Sequence, residues 1–382
     1  EIITKHVNVD LRAQAVVNYA SIFKHPKFKH EKENLIRIID TLLSMEEDPK
    51  IVISCIRALS MAIWRGILPP EDLIKRLLDN YYKLSDNETK KSFIDAVLLA
   101  YASIPEISDA IIDFAMKAIV YEKNNIDITW EIQKMLASIA SSEIKVDVLY
   151  KIANKVFDFL QLPEDQFSVS LRVLLLEQVL LSIAKREPKV IVDLADRLIA
   201  SYKTTPSVSV FDCVSKIVFE ALRKFPEKNR ECVKLLKLLF EPPEIEAAYD
   251  TILKYLVGLS TKYREEIARE VFFIADIFRT IKEVSVTIED IRERYFAVVE
   301  AVKNLARLIS IVMKDISPDN YDPFARIIVA MYATETGEPL RDILYTLIKS
   351  KEVPELFEHI KNYLGKVTLS DKHRELLQKF VL

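Results

Sequence analysis

The stretch FKHPKFKHEKEN, Phe23 to Asn34, places four lysines and two of the chain's five histidines within twelve residues. Two chemistries suit such a stretch: imidazoles for a metal ion, or ammonium groups for phosphate oxygens. Zinc needs several ligands at short spacing, which a helix supplies at i, i+3 or i, i+4. His6, His25, His30, His359 and His373 never take that spacing. His25 and His30 are therefore read as solvated turn residues, and no metal site is expected. Nucleophilic chemistry needs a thiol or hydroxyl beside a base. Cys55, Cys213 and Cys232 sit within apolar helical patterns, far from one another, and read as inert buried thiols. Asp127 falls where a helix N-cap is expected and Trp130 at a core position. The four glycines, Gly66, Gly258, Gly337 and Gly365, are never close together, which excludes a phosphate loop. No catalytic residue and no cofactor is expected, and the chain is not read as an enzyme.

Composition narrows the field further. Fifty-four basic residues against 57 acidic ones leave a net charge of -3, so the chain as a whole is no polyanion binder. Half of the 382 residues are hydrophobic, enough to bury a large surface. Abundant Ile, Lys and Glu resemble thermophile usage. The longest run free of Asp, Glu, Lys and Arg is Ala96 to Pro105, ten residues, against about 20 for a membrane span. EIITKHVNVD lacks the apolar core of a signal peptide, and a cytoplasmic protein without disulfides is expected. The chain opens at Glu1 rather than Met.

The elements that would position any site are helices. LIRIIDTLL (Leu35 to Leu43) and IIDFAMKAIV (Ile111 to Val120) show helical periodicity, and no long stretch alternates as a strand would. Steps of forty residues from Tyr19 meet Leu59, Leu99, Ile139, Val179, Phe219 and Leu259; a second phase meets Val16, Ile56, Ala96, Leu136, Leu176 and Leu256, broken at Lys216. Helix-start signals keep the same pitch: Asp10, Asp48-Pro49, Ser85 with Glu88, Asp127, Pro163-Glu164, Pro206-Ser207 and Pro242-Pro243-Glu244. Turns between are marked by Pro26, Pro69-Pro70, Pro105, Pro188 and Pro226.

In VDLRAQAVVNYA (Val9 to Ala20), DPKIVISCIRALSMAI (Asp48 to Ile63) and VSLRVLLLEQVLLSIA (Val169 to Ala184) the chain resembles the HEAT and armadillo class of α-solenoids. The Asp and Arg of the HEAT pattern are absent from most repeats, and its late-helix glycine is read as missing throughout. The pairing of His with Glu in iron-binding HEAT enzymes is met only at His30-Glu31, and a HEAT-like DNA glycosylase is not supported by Asp127 and Trp130. The resemblance implies an all-α, right-handed α-solenoid of about seven helical-hairpin repeats over residues 1–282. Beyond it, Ile288, Ile291, Tyr295, Val298, Val302, Leu305, Ile309, Val312 and Ile316 alternate three and four apart, predicting one long helix opened by Thr287 within residues 283–317. Phe296, Val299 and Ile311 widen that face, so lengthwise packing on the last repeats is favoured, with oligomerisation through 287–316 as the alternative. Residues 318–382 read as four short helices, broken at Gly337-Pro339, Pro354 and Gly365, that cap the array.

In the repeat frame the basic stretch acquires a second meaning. Lys24, Lys27 and Lys29 are followed at the same mid-repeat place by Arg65, Lys145, Lys185-Arg186, Arg223-Lys224 and Lys262 with Arg264. Such a ridge could follow a phosphate backbone or an acidic partner. The competing reading, which is favoured, has these cations opposing the negative ends of helices, with acidic neighbours at the next helix start. An extended helical surface suits a protein partner better than a small molecule. A non-enzymatic scaffold or adaptor, alone or as a subunit of a larger assembly, is the first expectation, and a nucleic-acid-associated solenoid the second.

Overall fold

The computed structural model describes the chain except residues 1, 46–47, 64–69, 104–107, 165–166, 288–290 and 382. It divides into two units, residues 1–191 and 192–382. All regular structure among the described residues is helical.

In the first unit α1 (Ile2–Lys5) precedes the pairs α2 (Val9–Ser21) and α3 (Lys32–Met45), α4 (Pro49–Ile63) and α5 (Glu71–Asp79), α6 (Asn87–Ser103) and α7 (Ser108–Tyr121), and α8 (Ile126–Ser141) and α9 (Val146–Leu160). α10 (Val169–Leu174) then runs through a π-helical turn, Leu175–Leu180, into α11 (Leu181–Arg186). Each helix packs on the next but one: α2, α4, α6, α8 and α10 to α11 form one layer, and α3, α5, α7 and α9 the other. This is repeat packing of helical pairs, and it follows from the forty-residue pattern. Val16, Ile56, Ala96, Leu136 and Leu176 are each at most 4 % exposed, so one apolar position per repeat faces the interlayer core.

α12 (Pro188–Asp193) leads into the second unit, which contains α13 (Ala195–Thr204), α14 (Val208–Lys224), α15 (Arg230–Leu238), α16 (Ile245–Leu259), α17 (Arg264–Ala268), α18 (Val271–Thr287), α19 (Ile291–Val312), α20 (Tyr321–Thr334), α21 (Pro339–Ser350), α22 (Pro354–Leu364) and α23 (Asp371–Phe380). Here α14, α16, α19 and α21 pack in series, as do α18, α20 and α22. Thr287 ends α18 instead of opening a helix, and α19 begins at Ile291. Ile288, one of the heptad positions, lies outside the described residues. Val298, Val302, Leu305, Ile309, Val312 and Ile316 are buried within this unit. α19 lies against α16, α18 and α21, which accounts for its wide apolar face.

Several starts differ from expectation by a few residues. The cap of α6 is Asp86, whose carboxylate accepts from the Thr89 N–H at 2.8 Å, in place of Ser85. Asn125, not Asp127, precedes α8. Pro163 opens a turn, its carbonyl accepting from the Phe167 N–H, and the helix starts only at Val169. A late-helix glycine is present once after all: Gly258 lies one residue from the end of α16, and a Cβ there would meet the Phe219 ring at 2.7 Å.

Polar side chains tie neighbouring repeats at the repeat spacing. Lys50 reaches Asp10 at 2.8 Å, Lys151 and Lys155 reach Asp109 and Asp113 at 2.8 and 3.1 Å, and Lys234 reaches Asp196 at 2.9 Å. The spacing recurs beyond residue 282, where Thr346 donates to the Ala306 carbonyl at 3.0 Å and Tyr363 to Asp322 at 2.5 Å. One polar group stands against this pattern. Gln133, in the middle of α8, is fully buried, and neither end of its carboxamide has a protein partner among the described residues. An unmet buried polar group costs about 1–3 kcal/mol. Gln133→Leu is accordingly expected to stabilise the protein by about that amount, read as a higher urea midpoint at unchanged slope.

Candidate partner-binding surface

The eleven basic positions are not equivalent. Arg65 lies outside the described residues, and so do the side chains of Lys24 and Lys29, which belong to the short turns Ile22–Lys24 and Pro26–Glu31. Lys27 is exposed with its ammonium 5.0 Å from the Phe28 ring centre. Lys145, just before α9, and Lys185, in the last turn of α11, are exposed as well. Arg186 turns inward, donating to the carbonyls of Ala140 at 2.9 Å and Ile144 at 2.7 Å at the C-terminal end of α8. In the second unit Lys262 behaves alike, donating to the Leu222 carbonyl at 3.2 Å and to that of Phe225, at the end of α14. Burial holds its ammonium below the usual lysine range.

Both cations therefore meet the unsatisfied carbonyls that end a helix, one repeat earlier in the chain. Arg223 and Lys224 share Glu220 at 2.8 and 3.8 Å, and Arg264 pairs with Asp315. Helix-end capping thus occurs across repeats, a partner choice that spacing within one helix does not reveal.

The most enclosed ion pair escapes sequence reading. Lys90, in the first turns of α6, and Glu122, just after α7, meet at 2.7 Å with side chains 10 % and 5 % exposed. The Tyr81 hydroxyl donates to the same Glu122 oxygen at 3.2 Å, and the ammonium lies 6.0 and 5.8 Å from the Tyr81 and Tyr121 ring centres. Phe93 and Phe114 close around Tyr81 at 5.5 and 5.2 Å. Burial, and then Glu122, push the Tyr81 phenol far up, and burial takes Tyr82 up to about 12. Lys90 is followed by exposed Lys91, so composition does not separate them; the signal is that Lys90 stands three and four residues before buried Phe93 and Ile94.

This anchored hairpin end carries a group of exposed apolar side chains. Tyr121 is 56 % exposed, Ile126 60 % and Trp130 39 %. Trp130 is thus no core residue: buried Ile128, Ile132 and Met135 mark the inner face of α8, and Ile126 and Trp130, one turn apart, share another. Lys134 sits 5.0 Å from the Trp130 ring centre. Asp127 is exposed within the first turn, beside Ile126. The loop is held at Asn125, which donates to Asn87 at 2.8 Å. In the second unit, exposed Tyr345 and Ile348 stand beside a polar cleft of about 690 Å³ between α19 and α21, where Lys303 and Arg307 are paired with Glu338 and Asp342.

Among the described residues no three His, Cys, Asp or Glu side chains gather as a metal site, and no helix is long and apolar enough to cross a membrane. The three cysteines are buried, and burial pushes the Cys55 thiol up to about 12.

No family model matches the chain, and no curated protein does. Solved structures similar to it include an engineered protein, at 15 % identity and a TM-score of 0.41 over 99 % of this chain and 92 % of that one. Kap121p is similar at 9 % identity and a TM-score of 0.41, over 99 % of this chain and 52 % of its own. The UNC-45 chaperone, described for binding and folding muscle myosin, is similar at 14 % identity and 0.35, over 98 % and 43 %. The chain spans about half the length of these last two.

Proposed function

We propose that the chain is a non-enzymatic scaffold of HEAT or armadillo type that holds a protein partner on the α6 to α8 face of its first unit. The observation that carries this reading is the exposure of Ile126 and Trp130 one turn apart on one helix, whose start follows a hairpin end held by Lys90, Glu122 and Asn125. Large aromatic side chains on a rigid support dominate binding energy at interfaces, because they bury much area and lose little entropy on docking. The cation pairs of α3, α5, α7 and α9 point the same way: Arg76 with Asp40, and Lys151 and Lys155 with Asp109 and Asp113, are satisfied within the chain, leaving that layer little to offer a charged partner.

The test uses a partner recovered at stoichiometric ratio with the whole chain. Trp130→Ala with Ile126→Ser is expected to weaken its binding by roughly thirtyfold or more, the effect of losing about 2 kcal/mol at an interface anchor. Helical content should be unchanged, since both side chains are exposed. Equal binding by the variant overturns the reading. Recovery of nucleic acid alone, released by moderate salt, favours instead a polyanion-binding role for the exposed lysines.

A further inference from the structure

α23 ends the second unit, and of its ten residues only His373 and Leu377 are buried. The His373 Nε2 lies 3.0 Å from the Glu335 carbonyl oxygen just beyond α20, so Nε2 carries the hydrogen and donates. Nδ1 is then the acceptor, 2.5 Å from the Ser370 hydroxyl, which donates to it. The His373 carbonyl accepts from the Tyr332 hydroxyl at 2.7 Å, and the Tyr332 ring stands edge-on to the imidazole at 5.0 Å. Among the described residues the polar attachment of α23 to α20 thus passes through His373. Beside it, between α22 and α23, runs a cleft of about 570 Å³ whose apolar lining is Leu364, Val367, Leu369 and Leu377.

We propose that α23 is a pH-gated strap, docked on α20 while His373 is neutral and released when it is protonated, which widens the apolar cleft beneath it. A proton placed on Nδ1 removes the ring's one acceptor, so the Ser370 hydroxyl must stop donating and turn its oxygen, which already accepts from the His373 N–H at 3.3 Å. The imidazolium would also be a charge enclosed by protein, His373 being 4 % exposed.

The charges around it do not offset this. From α18, Lys282 engages the Glu335 carboxylate, so that acid is already neutralised. From α20, Tyr332 contributes a neutral phenol. On α23 itself Lys372 repels the added charge, while Asp371 faces Arg374 at 3.8 Å. Burial first, and Lys372 second, hold the imidazole below its ordinary value of 6.5. With the folded value depressed, the undocked segment takes up the proton more readily than the docked one. Docking is therefore fully supported above pH 6.5 and progressively lost as the pH falls below it.

The full chain can be tested by pulsed deuterium exchange at about pH 7.5 and about pH 5, corrected for chemical exchange, with ring titrations by NMR. Residues 371–380 are expected to lose protection on acidification while α14 keeps its own. The loss should follow the titration of His373, with a midpoint below the ordinary histidine value of 6.5. His373→Gln, whose amide can still donate to Glu335, is expected to keep α23 protected at both pH values. If that variant leaves α23 open throughout, the coincidence of the two wild-type curves decides. Unchanged protection of α23 while the His373 ring titrates overturns the proposal, as does an equal acid-induced loss in a docked His373→Gln variant.

Discussion

Arg172→Leu is expected to lower the stability of the first unit by about 3 kcal/mol or more. Arg172 is 1 % exposed, and its guanidinium serves three backbone carbonyls: Nε donates to Phe167 at 3.0 Å, and the two terminal nitrogens donate to Leu160 and Leu162. These carbonyls end α9 and begin the turn into α10, where no helical N–H can reach them. Removal of the guanidinium leaves two buried acceptors, at Leu160 and Phe167, each worth about 1–3 kcal/mol when unmet, and a half-buried one at Leu162. Arg172→Lys should recover only part of the loss, because a single ammonium cannot present donors in three fixed directions. Both tryptophans, Trp64 and Trp130, belong to residues 1–191, so the intrinsic fluorescence of the full chain follows the first unit. A urea midpoint within about 0.5 kcal/mol of the unaltered protein would show that the carbonyls find other donors.

Lys90→Met and Glu122→Leu form the second test. Each alone strands a buried charge and is expected to cost about 3–5 kcal/mol, whereas the double variant should recover most of that, because the two apolar chains bury no charge at all. A double-mutant cycle followed by the same fluorescence isolates the coupling. Additive losses would mean that water reaches the pair. The single variants should also loosen the end of α7, where Tyr121 stacks edge-on to Tyr82 at 5.1 Å and covers the Lys90 ammonium. Exchange protection of residues 118–130 is then expected to fall before that of α4, whose core positions are distant in sequence from the pair.

The helical repeat is legible in the sequence because a single apolar position per repeat is buried nearly everywhere, and proline breaks the chain between helices. Helix starts are legible where a side chain caps them: the Asp48 carboxylate accepts from the Lys50 N–H at 2.9 Å, and the Ser207 hydroxyl from the Val210 N–H at 3.3 Å. Where two capping residues stand two apart, as with Asn125 and Asp127, type alone does not choose. Long-range pairing is least legible. Arg186 reads correctly as a helix-end cation, but the carbonyls it meets lie in the preceding repeat, and nothing in its own neighbourhood names them. Lys90 and Trp130 fail in opposite directions, the one buried and the other exposed, because the position on the helix face decides burial and residue type does not. The heptad seam shows the same limit: its spacing predicts a narrow interface, whereas α19 lies against α16, α17, α18 and α21 of the same unit.

The clasps between neighbouring repeats also bear on how the protein would respond to force. Lys50 with Asp10, Lys151 with Asp109 and Arg186 with Ala140 each join a repeat only to the one before it. Joints of this kind act in series under tension, so the load that parts the first unit is that of its weakest joint and does not grow with the number of repeats. Pulled along the stacking direction, the unit would lengthen in steps of one helical pair, each step releasing about forty residues, and would re-form in the same steps when the load is removed.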